Sequence, residues 1–589
     1  MELNEQLATK RTPIQASNPV APPEISVEDV KALGHDDLAL WVLGQNLLVD
    51  HRPFNFDRHR YLIDIYRCNS KEIVVMKAAQ MGLTIWLLLK TLHILLNKSP
   101  IKAGFYFPTA DSVIKLSKDR LTPIIAQNPE LSALVENSDF ANTLGLKQIG
   151  SSSLYLNHIG GLATKDSTPM DLVAFDEVRL IDPSEIDQTL ERISHSEHKY
   201  KFFVSTAGYP GTDIHARFLR GTQRYWHTRC GCGPNPEDWV VLSDVFPNCV
   251  MDVGDDVFYA CPKCGYRIND PQNGEYVPHN PGADVESFHI HQMMSHYISA
   301  KEVWEAWNTT TNVREFYNAK LGKPYIDEES RPLTQDILDS CINPAIPWSF
   351  MKKEAGQICM GVDQRSGENH VIVAQRLESG KKRIVHIEII ASKNPTYKEG
   401  GREVSPFKRL RTLMEEYDVD VCVCDALPNA NEAMAFGREF PGRVFLAYYT
   451  DSRDTIKWSD KGAGKKESVA TRRVRREAKF KHHVLLDRYT SIEASMMEWT
   501  TRKVEMPDPR RLIQTARDNG GRFVQLPICT EYFFPHMMGV VREKVGGTHD
   551  GIYRMRWVNL GLDPHFLHAW NYCWSALERV KHNFGFNFW

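Results

Sequence analysis

The stretch KAAQMGLT, Lys77–Thr84, sits between a short β-rich run, KEIVVMK, and an apolar run, IWLLLKTLHILL. Strand, glycine-bearing loop and helix in that order frame a phosphate-binding loop, whose usual pattern is G-x-x-x-x-G-K-S/T. Gly82 and Thr84 stand where the second glycine and the magnesium-binding hydroxyl belong. Leu83 takes the usual lysine position, and the lysine comes first instead, as Lys77. The chemistry survives that move. Backbone N–H groups of Ala78, Ala79, Gln80, Met81 and Gly82, with the N-terminus of the following helix, can still cradle phosphate. A long cationic side chain entering from the other end can still reach the β/γ oxygens.

Downstream, LVAFDE (Leu172–Glu177) is an apolar run that ends in two acids. In that setting Asp176 is expected to hold Mg2+ through water and Glu177 to polarise the attacking water. VSTAG (Val204–Gly208) reads as a third strand that ends in small hydroxyl residues and could sense a γ-phosphate. Alone, KAAQMGLT also fits an ordinary strand–turn–helix. The strand-terminal Asp–Glu pair in this order turns the reading toward a nucleotide triphosphatase with ATP and Mg2+ as cofactors. Upstream, FNFDRHRYLIDIY (Phe54–Tyr66) fits either an adenine-stacking element or a packing helix.

At 589 residues the chain exceeds a single core, and two to four domains are expected. It is 42% hydrophobic and 25% charged, the composition of a soluble globular protein. No apolar run reaches the length of a membrane span, and no apolar leader opens the chain, so neither a membrane nor a secretory route is expected. The cysteines are scattered, which fits reduced thiols in a cytoplasmic compartment. The net charge of −3 excludes a whole-protein basic signature, so any DNA contact must come from local patches.

Residues 1–50 read as a polar, proline-rich arm followed by short helices, and 51–225 as a P-loop core built on a parallel sheet. Over 226–285 the cysteines Cys230, Cys232, Cys261 and Cys264 suggest a zinc ribbon. CPKCG is a strong knuckle, whereas C-x-C is tighter than the usual C-x-x-C, and His227 could stand in as a ligand. Residues 286–345 read as a linker. From 346 to 589 a second α/β pattern follows: a strand carrying Asp363, two more strands, a helix, and a buried strand ending in Asp425. That is the order of an RNase H-like nuclease core, where carboxylates at adjacent strand ends converge on two divalent metals. Residues 457–483 hold ten Lys or Arg against three acids, a solvated face or a phosphate-contacting element. The aromatic end HNFGFNFW suggests a docking tail.

A triphosphatase with a displaced loop lysine, joined to such a nuclease, resembles the large terminase subunit of tailed bacteriophages, in its lambda-like group. KAAQMGLT, LVAFDEV, VSTAG, the ribbon cysteines, FYNAKLGKPY, GVDQ, CDALPN and HFLHAWNY carry the resemblance. It implies an ATPase that drives double-stranded DNA into a procapsid and an Mg2+- or Mn2+-dependent endonuclease that cuts the concatemer. It also implies a small terminase subunit and a portal protein as partners, a homo-oligomeric ring when docked, and action in the host cytoplasm. Lys77, Gly82 and Thr84 would carry nucleotide and metal, Glu177 would be the catalytic carboxylate, and Asp363 and Asp425 would ligate nuclease metal. The family's late motif brings a third acid on a helix, and here Pro564 stands in its place. Asp563 is the expected third ligand, with His565 and then Asp550 as alternatives. Two other classes compete: a helicase-like repair ATPase with a nuclease, and a non-enzymatic zinc-ribbon scaffold.

Overall fold

The run Ile73–Met76 is buried on both faces, as a strand covered by helices on each side must be. It forms most of β1 (Glu72–Lys77). Beyond the loop, α1 (Leu83–Asn97) is apolar around most of its circumference and is buried accordingly. A computed structural model describes residues 34–98, 100–135, 142–159, 168–348, 356–391, 398–399, 402–403, 405–450, 454–459, 482–517, 523–545, 554–561 and 563–581. The chain divides into two units, residues 1–207 with 217–323 and residues 208–216 with 324–589.

The first unit adds β2 (Lys102–Phe107), β3 (Leu146–Ile149), β4 (Ser152–His158), β5 (Leu172–Asp176), β6 (Tyr200–Ser205) and β7 (Arg224–Thr228). It continues with β8 (Val250–Val253), β9 (Asp256–Ala260), β10 (Arg267–Ile268), β11 (Gly274–Pro278) and β12 (Glu286–Ile290). Nine of these make one sheet in the order β11-β7-β12-β1-β6-β5-β2-β4-β3. From β12 to β4 neighbouring strands run parallel, and only the outermost pairings are antiparallel. β7, β11 and β12 belong to this sheet, so the ribbon expected over 226–285 narrows to the small β8–β10 sheet and its flanks. The linker expected over 286–345 likewise begins as a sheet strand. Sequence alone did not reveal this, because the sheet resumes only after the β8–β10 sheet has intervened.

The second unit contains β13 (Gly356–Arg365), β14 (Glu368–Leu377), β15 (Lys382–Ala391), α2 (Pro406–Glu416), β16 (Val421–Asp425), α3 (Ala430–Glu439), β17 (Val444–Thr450), β18 (Ile456–Trp458), β19 (His483–Asp487), α4 (Arg488–Thr500), β20 (Val504–Glu505) and α5 (His565–Lys581). Its sheet runs β18-β19-β17-β16-β13-β14-β15-β20. The meander β13–β14–β15 is antiparallel and β13 pairs parallel with β16, the order expected from the sequence. Side chains alternate across β13. Ile358, Met360 and Val362 pack with Phe407, Leu410 and Phe436 of α2 and α3. Cys359 packs on the opposite face with Ala569, Trp570 and Cys573 of α5. Asp363 has the same parity as Cys359 and lies on the α5 face.

Gly361 sets how deeply α5 sits. A Cβ there would overlap the Ala569 carbonyl oxygen and the Cys573 nitrogen, both rigid backbone atoms. Overpacking of this kind costs about 1–3 kcal/mol. Gly361→Ala is therefore expected to lower the calorimetric midpoint of the second unit's unfolding while leaving the first unit's unchanged. An unaltered pair of transitions would show that the helix tolerates displacement.

Candidate active sites and a candidate metal centre

β1, β6 and β5 lie side by side and parallel, so Lys77, Thr206 and the pair Asp176–Glu177 leave the sheet at one edge. Lys77 is buried and its Nζ lies 3.2 Å from Glu177 Oε1. Thr84 Oγ1 donates to Asp176 Oδ2 at 2.7 Å. Burial pushes the Asp176 carboxyl above its ordinary pKa, while the Lys77 charge and the Thr84 bond oppose that rise. Glu177 has φ 57° and ψ 47°, a left-handed conformation that is uncommon for a non-glycine residue. Its own N–H donates to Asp176 Oδ1 at 3.0 Å. Arg179 N donates to Ser205 Oγ at 3.1 Å, so Ser205 secures the turn after the two acids. Thr206 Oγ1 is buried with no hydrogen-bond partner among the described residues.

The loop itself is held from a side that sequence reasoning missed. Ala78 N donates to Ile290 O at 2.7 Å and Ala79 N to Ala319 O at 2.8 Å, while Gln292 Nε2 donates to Ala79 O at 2.9 Å. The N–H groups of Ala78 and Ala79, expected to cradle phosphate, are thus engaged within the protein instead. Gln80 (φ 60°) and Gly82 (φ 81°) supply the left-handed turns of the loop. Ala319 belongs to FYNAKLGKPY, whose Gly322 is obligatory. A Cβ at 322 would strike Ile290 O and Ala78 N.

The thiols of Cys230, Cys232, Cys261 and Cys264 all lie within 4.8 Å of one another. Four sulfurs about 2.3 Å from one Zn2+ would be spaced in this range. At the CPKCG knuckle, Gly265 N donates to Cys261 O at 2.9 Å and Gly265 adopts φ 70°. The Tyr266 N–H draws the Cys264 thiol down to about 7, toward the thiolate that metal requires. The C-x-C pair closes the group without help. His227 is engaged elsewhere, Nδ1 with Pro236 O at 2.9 Å and Nε2 with His279 Nε2 at 3.1 Å.

In the second unit, Val362 on β13 pairs in register with Cys424 on β16, so Asp363 and Asp425 end adjacent parallel strands. Asp363 is buried and its Oδ2 lies 2.6 Å from His565 Nδ1. Burial raises the Asp363 carboxyl to about 6, against the His565 bond. Burial and then the Asp363 charge raise Asp425 to about 7. Burial opposes the charged form of His565, yet the bond to Asp363 lifts its pKa above the ordinary value. Leu427 N donates to Asp425 Oδ1 at 3.1 Å, and the Tyr572 hydroxyl donates to Oδ2 at 3.2 Å. His565 Nε2 is buried with no hydrogen-bond partner among the described residues. Asp563 is exposed just before α5, and its charge acts on both Asp363 and His565. Asp550 lies outside the described residues, as do 1–33, 460–481 and 582–589, with most of the basic segment and the aromatic end. Phe54, Phe56 and Tyr66 pack on one another at centroid distances of 5.1–5.4 Å, the packing arrangement for that element.

The family model described as phage terminase large subunit gpA, ATPase domain, matches residues 53–280. Similar solved structures include the large terminase of bacteriophage HK97, at 11% identity over 83% of this chain and 95% of that one, with TM-score 0.47. The large terminase of a thermophilic bacteriophage, in complex with ATP-gamma-S, is similar at 12% identity over 86% of this chain and 93% of that one, with TM-score 0.28. The ATPase domain of the Thermus phage P74-26 large terminase is similar at 15% identity over 48% of this chain and 96% of that one, with TM-score 0.30. No curated protein sequence matches the chain.

The carboxyl pair sets a pH dependence. Both folded-state values lie above the ordinary 3.8, so the stability they contribute is complete below about pH 4 and lost as pH rises through 6 to 7. Above that range two like charges face each other, and a divalent cation would relieve them. Mn2+ is expected to raise the second unit's unfolding midpoint clearly at about pH 8 and far less at about pH 5.5. Equal stabilisation at both would show that the cation binds elsewhere.

Proposed function

We propose, from the match of residues 53–280 to the ATPase domain of the phage terminase large subunit, that the chain is the motor and nuclease subunit of a viral DNA-packaging machine. It would hydrolyse ATP to drive double-stranded DNA into a procapsid, acting with a small terminase subunit and a portal protein as a ring in the host cytoplasm. It would cut the concatemer with an RNase H-like site. The observation that carries this reading is that two separate sheets each end in a carboxylate pair, one faced by a lysine and a threonine hydroxyl, the other by groups from α5. No helix among the described residues is long and apolar enough to cross a membrane.

At the first edge, Lys77 would compensate the β/γ-phosphate charge, Thr84 would ligate Mg2+, and Asp176 would hold the ion through water. Bound Mg2+ supplies charge neutralisation. While Lys77 is paired with Glu177, neither group is free for chemistry. When Lys77 turns to phosphate oxygens, Glu177 is released to orient and polarise water. Thr206, whose buried hydroxyl has no partner among the described residues, would report on the γ-position. At the second edge, Asp363 and Asp425 end adjacent parallel strands, and two carboxylates so placed are a donor set that would suit divalent cations. Two bound cations supply Lewis-acid stabilisation of the attacking and leaving oxygens. Asp563 is the proposed third ligand and His565 the alternative. Cys230, Cys232, Cys261 and Cys264 would hold one structural Zn2+.

Lys77→Ala and Glu177→Gln are each expected to reduce DNA-stimulated ATP hydrolysis by several orders of magnitude and to spare Mn2+-dependent nicking. Asp363→Ala and Asp425→Ala should do the reverse. Wild-type hydrolysis in Lys77→Ala would reject the displaced-lysine reading. Elemental analysis of chelator-free protein should find about one zinc per chain. Cys261→Ser should lose it and His227→Ala should keep it.

A further inference from the structure

A metal-binding carboxylate must present its lone pairs in a fixed direction, and in the second unit one helix supplies a donor to each member of the pair. His565 and Tyr572 are seven residues apart on α5, close to two turns, and so share a face. His565 reaches Asp363, and the Tyr572 hydroxyl reaches Asp425 Oδ2 at 3.2 Å. The hydroxyl has little freedom to swing away. Tyr572 is 1% exposed, and its ring lies 5.7 Å from that of Tyr449. The Tyr449 hydroxyl is bonded to His568 Nδ1 at 2.9 Å and accepts from Asn571 Nδ2 at 3.1 Å. Asn571 Nδ2 also donates to Ser491 Oγ at 2.9 Å. His568 and Asn571 are themselves α5 residues, so Tyr449 is tied to the same helix. With Leu427 N on its other oxygen, the Asp425 carboxylate is gripped at both atoms, and each atom keeps a lone pair.

We propose that Tyr572 is a positioning residue for Asp425, its hydroxyl fixing the carboxylate orientation and thereby setting the divalent-cation affinity of the site. The catalytic part of this inference rests on the nuclease reading above. The binding part does not. Hydrogen-bond partners of metal-ligating groups set affinity and activity by about 10–100-fold. Tyr572→Phe keeps the ring and removes only the oxygen.

The test is calorimetric titration of the full chain with Mn2+, without DNA. Tyr572→Phe should bind Mn2+ about 10-fold or more weakly with ATPase activity unaltered. In cleavage assays the half-saturating Mn2+ concentration should rise by the same factor, and the KM for DNA at saturating Mn2+ should stay constant. In an Asp425→Ala background the same substitution should have no further effect on Mn2+ affinity, which a general packing role would not reproduce. Wild-type Mn2+ affinity in Tyr572→Phe, or an equal loss in the Asp425→Ala background, overturns the proposal. Should the wild-type chain bind Mn2+ and Tyr572→Phe weaken it while neither cleaves DNA, the nuclease reading falls and the positioning role stands. Should the wild-type chain bind no Mn2+, both fall.

Discussion

A carboxylate buried at the end of a parallel strand costs free energy until a positive or hydrogen-bonding group faces it. Each unit meets that demand from one other element. In the first unit Lys77 and Thr84, at either end of one loop, face Glu177 and Asp176 across β6. In the second, His565 and Tyr572 of α5 face Asp363 and Asp425. Neither arrangement fully satisfies the acids. Asp176, Asp363 and Asp425 all keep raised pKa values despite their partners. Residual charge of this kind is what a bound cation would relieve, so the cost of holding the acids together would become affinity if a cation bound.

The partners can face the acids only because backbone approaches backbone closely at two glycines. Gly322 lets the segment bearing Ala319 lie against Ala78 and Ile290, which closes the Lys77–Thr84 loop from behind. Gly361 lets α5 settle onto β13 at the depth that brings His565 and Tyr572 within hydrogen-bond reach. A methyl group at either place would move a whole element rather than a side chain, and the charged partners would move with it.

These facts separate what was legible in the residues from what was not. That Lys77, Thr84, Asp176 and Glu177 come together could be read because each lies at the end of an apolar run with strong local pattern. Asp363 and Asp425 could be read because strand order constrains which strand ends meet. Cys230 and Cys232 were legible as thiols. That C-x-C closes the group while His227 turns to Pro236 and His279 depends on side-chain direction, which spacing does not encode. Gln292, Ala319, Tyr449 and Tyr572 act through contacts more than a hundred residues apart in the chain, and the local pattern, even that of FYNAKLGKPY and HFLHAWNY, does not encode those partners. Asp563, the expected third acid, lies before Pro564 and outside the helix, where its direction is not set by α5.

The displaced lysine follows from the same physics. Leu83 is 1% exposed and belongs to the apolar cluster that joins α1 to the sheet. A lysine at that position would place an ammonium group among leucines, where burial penalises the charged form strongly. Lys77 is also buried, but it ends β1 at the edge where Asp176 and Glu177 emerge, so its charge is compensated before any phosphate arrives. The position that usually carries the lysine has been given to the core, and the charge has moved to a site where two carboxylates can hold it. The loop thus keeps a cationic group at the sheet edge while the helix behind it keeps an unbroken apolar face.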